Sequence, residues 1–163
     1  MKFLRASEGT FELQFAPEEK ALLFHLLNLY PLVPETYHRL TKDKKLARRR
    51  EDQQLLNEAL KSQREQNKKE ILALVSNATR FAQTNGLSAV VFARGELEWM
   101  LQVFNDVRIG SWIALGSPAH EAKQKTRPDR DSLRHTMMME LAGAFEMFFL
   151  GIINGDVPPE SGG

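Results

Sequence analysis

Hydrophobic and polar residues alternate near the start of the chain: Phe11, Leu13 and Phe15 fall on one side of an extended segment, and Thr10, Glu12 and Gln14 on the other. Ser7-Glu8-Gly9 separates this stretch from Phe3-Leu4-Arg5, so the pattern predicts a β-hairpin with one wet face. Pro17-Glu18-Glu19 then opens a helix. Proline is tolerated in a first turn, whose N–H groups are unpaired anyway, and the two acids sit at the positive end of the helix dipole. Ala21, Leu22, Leu23, Leu26, Leu27 and Leu29 carry the helix on until Pro31 and Pro34 end it.

Further along, Leu56, Ala59 and Leu60 form one apolar patch at helical spacing, and Ile71, Leu74, Val75 and Ala78 form a second. Between them Lys61 to Glu70 has no large apolar residue, so a helix there must either project into solvent or break. Asn85-Gly86 is a stop signal, and Leu87 to Phe92 is a short β-branched run, readable as a strand or as an extended lead into the next helix. Glu96 to Leu115 is helical and closes at Gly116-Ser117-Pro118. A charged, proline-interrupted loop follows, and Ser132 is the expected N-cap of a last helix that runs to about Ile153 and ends at Asn154-Gly155. Residues 156–163 read as a frayed, disordered tail. No internal repeat is visible. The expectation is one domain over 1–155, hairpin at 1–16 and helices at 17–155. It is mainly α with α+β character: a helical bundle with the N-terminal β-hairpin packed on one face and the two C-terminal helices forming the core.

Those two helices hold the candidate chemistry. At about 100° per residue, Leu97, Leu101, Phe104, Trp112 and Leu115 share one stripe, and Arg108 falls in its middle. Asn105 flanks the stripe while Asp106 points the other way. A buried, unpaired guanidinium costs several kcal/mol, so the pattern predicts a carboxylate partner from the last helix, Glu140 ahead of Glu146, with Asn105 supplying an amide. The rival reading makes Asn105, Asp106, Arg108, Glu140 and Glu146 a ligand or enzyme site for a small anionic molecule. A concave pocket with the guanidinium open to solvent would favour that rival; a sealed ion pair would favour structure. The last helix has Met138, Leu141, Phe145, Phe149 and Ile152 on one face and Met139, Gly143, Met147 and Leu150 on the other. Such a helix is central or shared between subunits. Its second face, with Trp99 and Val103, is the expected surface for a protein partner or a homodimer. Gly110 and Ala114 on one helix and Gly143 and Gly151 on the other leave room for close backbone approach.

Composition narrows the classes. The 163 residues fit one domain, and 42% hydrophobic and 26% charged residues are ordinary for a globular chain. Twenty-two Lys and Arg nearly cancel 21 Asp and Glu, so no global field draws the chain to nucleic acid or anionic lipid. The local exception is the basic run Lys42, Lys44, Lys45, Arg48, Arg49 and Arg50. It could meet phosphates but holds no aromatic residue for base stacking, so a solvated mobile connection is expected and nucleic acid is not the expected partner. The absence of cysteine removes disulfides, thiolate metal ligands and a cysteine nucleophile. His25, His38, His120 and His135 are too scattered for a helical metal site, and no phosphate loop, dinucleotide fingerprint or nucleophile elbow is present, so neither metal nor cofactor is expected. Glu140 and Glu146, about 240° apart around the axis, do not make a catalytic pair. Met137 to Ile153 is apolar, yet it includes both glutamates and falls short of the roughly 20 residues of a bilayer span, so a core helix is expected rather than a membrane segment. No apolar run of signal-peptide length follows Met1, which predicts a cytoplasmic protein.

Asn105-Asp106-Val107-Arg108-Ile109, preceded by Leu101 and Phe104, resembles a block of an uncharacterised bacterial family, the domain of unknown function numbered twenty-seventeen. Phe3-x-Arg5, Gly9, Leu13, Pro17-Glu18-Glu19 and the leucines after them resemble that family's opening. The resemblance covers residues 1–30 and 92–116; Trp112 and the stretch from Pro118 to Pro128 depart from the pattern. It implies a bacterial protein of unknown activity, encoded in some genomes near an adaptor of the Clp protease, and hence a regulatory role. With the missing catalytic constellations, the expected function is a non-catalytic interaction or regulatory module.

Overall fold

A computed structural model of the chain describes residues 1–38, 47–116 and 129–160. Strands β1 (Lys2–Ser7) and β2 (Thr10–Phe15) pair antiparallel around Glu8-Gly9, whose φ values of 45° and 81° are the doubly left-handed turn that suits the twist of a hairpin. A second hairpin joins β3 (Ala82–Thr84) to β4 (Leu87–Ala93) around Asn85-Gly86, with φ 51° and 78°. Asn85-Gly86 is therefore a hairpin turn, and Leu87 to Phe92 is a strand. Pairing of β2 with β4 makes one antiparallel sheet in the order β1-β2-β4-β3. Helices α1 (Pro17–Leu29), α2 (Ala47–Ser76), α3 (Arg94–Ala114) and α4 (Arg130–Asn154) complete an α+β fold.

The sheet exposes a repeat that the sequence hides. One constant shift along the chain places Gly9 on Gly86, Phe15 on Phe92, Ala16 on Ala93 and Glu19 on Glu96. It also carries the buried Leu23, Leu26 and Leu27 of α1 onto the buried Met100, Val103 and Phe104 of α3. The same shift takes Leu13 to Val90, and these two are partners across the central ladder. The two strand–strand–helix units are thus related by a local near-twofold axis at Leu13 and Val90. Divergent side chains kept this out of sight; burial and register preserve it.

The corner between strand and helix is built alike in both units. Glu19 accepts a hydrogen bond from the Ala16 amide at 2.7 Å and pairs with the Met1 amino group. Glu96 accepts from the Ala93 amide at 2.8 Å and from Arg80, which also donates to the Val91 carbonyl and lies over the Phe92 ring. Burial pushes both carboxyls up, but the hydrogen bonds and neighbouring positive charge outweigh it and hold both below the ordinary value of 4.5. A carboxyl depressed by folding contributes stability that is present above its unfolded value and lost as pH falls through its folded one. Denaturant midpoints are therefore expected to fall only below about pH 4.5, and more gently in a Glu19→Gln/Glu96→Gln protein; an equally steep acid limb would contradict both pairings.

The core lies between the sheet and the helices, with Phe92, Phe104, Phe145 and Phe149 at its centre. Helix α2 runs unbroken through its polar middle because a polar anchor replaces the missing apolar one. Asn67, 2% exposed, donates to Tyr30 Oη at 3.1 Å and to Gln102 Oε1, and accepts from Gln63. Next to it Arg64 donates to the Val33 carbonyl at 2.7 Å. Two expected boundaries move. The N-cap of α4 is Asp129, which accepts from the Ser132 amide, so the helix begins at Arg130. The expected frayed tail is tied down over its described part: Val157 packs into the space above Gly151, the Glu160 amide donates to the Phe3 carbonyl at 2.8 Å, and Lys2 pairs with Glu160.

Candidate functional site

Helix α3 buries Leu97, Met100, Val103, Phe104, Val107, Gly110 and Ser111. This face is rotated from the stripe expected around Arg108: Leu101 and Trp112 are half-buried flanks, and Arg108 emerges into solvent. Val103, expected on a partner surface, is sealed inside the core. Asp106, turned away as expected, accepts from the Leu32 amide at 2.6 Å and the Val33 amide at 3.2 Å, and so fixes the segment after α1. One turn on, a β-carbon at Gly110 would lie 2.7 Å from Leu32 Cβ. The close approaches expected between the two helices are thus taken by Leu32 at Gly110 and by Val157 at Gly151.

Arg108 crosses to α4 over Gly143, where a β-carbon would stand 3.9 Å from Arg108 Cδ. Its Nη2 donates to Asn105 Oδ1 at 2.8 Å, and its Nε lies 3.2 Å from Glu146 Oε2. That second contact is an ion pair without hydrogen-bond alignment, since Oε2 is buried and has no hydrogen-bond donor among the described residues. The expected sealed anchor is therefore corrected on three points. The partner is Glu146, not Glu140; Asn105 gives its carbonyl oxygen, not an amide; and the arginine side chain is 45% exposed against 25% for Glu146.

A cleft of about 580 Å³ opens beside this pair, lined by Tyr37, Arg108, Ile109, Trp112, Met139 and Glu140. Helix α3 supplies Arg108, Ile109 and Trp112, α4 supplies Met139 and Glu140, and the short helical turn Glu35–His38 supplies Tyr37. The walls are aromatic and aliphatic, and the charges sit at Arg108 and Glu140. Sequence reasoning named Arg108, Met139 and Glu140 but missed Tyr37 and Ile109. The tether from Asp106 and the packing of Leu32 on Gly110 bring the segment after α1 against α3, and neither contact is local in sequence.

The other candidates lie apart. Met147 and Leu150 are exposed farther along α4, with Leu133 and Met137 exposed toward its start. Trp99 is half-buried, and its indole N–H has no hydrogen-bond partner among the described residues. Lys42, Lys44 and Lys45 lie outside the described residues, as do the side chains of Arg48 and Arg49; Arg50 is exposed on α2. Among the described residues no three His, Asp or Glu side chains gather to hold a metal ion.

A half-exposed ion pair contributes little to folding. Arg108→Ala is expected to shift stability by no more than about 1 kcal/mol, measured by chemical denaturation. A loss of several kcal/mol would restore the role of core anchor. No protein-family model, curated protein or solved structure matches this chain.

Proposed function

We propose that this chain is a non-catalytic interaction module that binds a protein partner through the α3/α4 cleft and the adjoining outer face of α4. The observation that carries this reading is the state of α4. Its inner face, Met138, Ala142, Phe145, Phe149 and Ile152, fills the core, while Leu133, Met137, Met147 and Leu150 on the same helix stand in water and Met139 lines the cleft. Exposed apolar surface that is contiguous marks contact sites, and four large apolar side chains of α4 are exposed on the helix that also lines the cleft. By length and hydropathy α4 also suits a bilayer span, but insertion would have to withdraw Phe145 and Phe149 from the core. The proposal therefore keeps α4 in the folded domain and, with the regulatory role implied by the family resemblance, places the protein in the cytoplasm.

The open guanidinium of Arg108 in a concave site favours a second reading, a small-ligand binder, since 580 Å³ is within the range of small-molecule pockets. Affinity capture from the native cell separates the two. Under the first reading a protein is retained by the parent chain and lost by Met147→Glu and Trp112→Ala variants whose circular dichroism is unchanged. Under the second, native mass spectrometry of the purified chain shows a bound small molecule that Trp112→Ala releases. A homodimer in light scattering, abolished by Met147→Glu, would make the partner a second copy.

A further inference from the structure

We propose that the α3/α4 cleft takes a peptide segment in which a large apolar side chain is followed by a lysine or arginine; this rests on the interaction-module reading above. The argument is one of charge. Among the described residues Arg108 is the one cation lining the cleft, and it is already engaged by Glu146 and Asn105. Glu146 already balances the charge of Arg108, so an incoming carboxylate gains little net attraction there. Glu140 is different. It is exposed on the same cleft and has no basic partner among the described residues. The charge left for a ligand is therefore negative, opposite to the anion site that Arg108 suggests in sequence.

The rest of the lining agrees with an apolar anchor beside a cation. Ile109, Met139 and the faces of Tyr37 and Trp112 present apolar surface, methionine adapts to varied side chains, and aromatic faces attract lysine and arginine heads. The volume admits one large side chain and part of its neighbours. A peptide laid here brings its apolar residue between Trp112 and Met139 and its cation to Glu140.

The test titrates the full chain with three synthetic peptides, identical except that the residue after a central leucine is lysine, glutamine or glutamate, followed by tryptophan fluorescence and calorimetry. The lysine peptide is expected to bind about tenfold more tightly than the glutamate peptide in low salt, with the gap narrowing as salt rises. In Glu140→Lys the order is expected to reverse without change in circular dichroism. Tighter binding of the glutamate peptide, equal binding of all three, or an unchanged order in Glu140→Lys would overturn the inference. So would self-association that Glu140→Lys abolishes, because the occupant would then be a second copy. If no peptide binds while a cellular partner is still lost by Met147→Glu, the inference fails and the interaction module stands; if that partner is absent too, both fail.

Discussion

Replacing Phe149 with alanine is expected to destabilise the protein by about 3–5 kcal/mol, the cost of emptying a buried aromatic site whose surroundings relax only partly. Phe149 has no exposed surface and meets the rings of Phe92 from the sheet, Phe104 from α3, and Phe145 and Phe148 on its own helix, at centroid distances from 5.3 to 6.4 Å. It is the point where sheet, α3 and α4 share one contact, so no single element can move to close the cavity. Guanidinium unfolding of Phe149→Ala and of the partly exposed Phe148→Ala provides the comparison. The first midpoint should drop far more; equal drops would mean that the core is not organised around Phe149.

The second large effect is expected at Asp106. Its carboxylate holds the amides of Leu32 and Val33. Asp106→Ala should cost roughly 2–4 kcal/mol, because hydrogen bonds to a charged group contribute more than neutral ones and the stranded amides add their own desolvation cost. Asp106→Asn keeps one acceptor oxygen and should lose about half as much. Leu32 sits against Gly110 and Tyr37 lines the cleft from the same segment, so Asp106→Ala should also weaken binding of the peptide proposed for the cleft. Amide exchange resolved by residue checks this: protection at Leu32 and Val33 should fall in Asp106→Ala while that of the β2–β4 ladder persists. Uniform loss of protection would mean that the segment has no independent tether.

The sequence shows clearly the elements that have one wet and one dry side. β2 has such sides, and its period of two is plain; α1 is bounded by prolines that leave little choice. Where a face is polar or the helix apolar all round, the pattern loses its meaning. Asn67 anchors α2 by hydrogen bonds that no hydrophobicity rule detects. β3 is only Ala82–Thr84, all exposed, too short and too polar to signal a strand. On α3 the half-buried Leu101 and Trp112 drew the expected stripe toward Arg108, though the core lies along Met100, Val103 and Val107. The choice between Glu140 and Glu146 turned on where Arg108 meets α4, which is alongside Gly143 and next to Glu146. That requires knowing which residues face each other, which one helix considered alone does not contain.

The near-twofold relation about Leu13 and Val90 also bears on assembly. A β2–β4 ladder closed within one chain can equally be closed between two, each contributing one strand–strand–helix unit, because both closures make the same pairings. Domain exchange of this kind needs no new surface, only an opened connection through α2. Its mark would fall on the cleft. Arg108, Ile109 and Trp112 belong to the second unit and Met139 and Glu140 to α4 beyond it, whereas Tyr37 follows the first. An exchanged dimer would build each cleft from two chains and make the affinity of the proposed peptide depend on protein concentration.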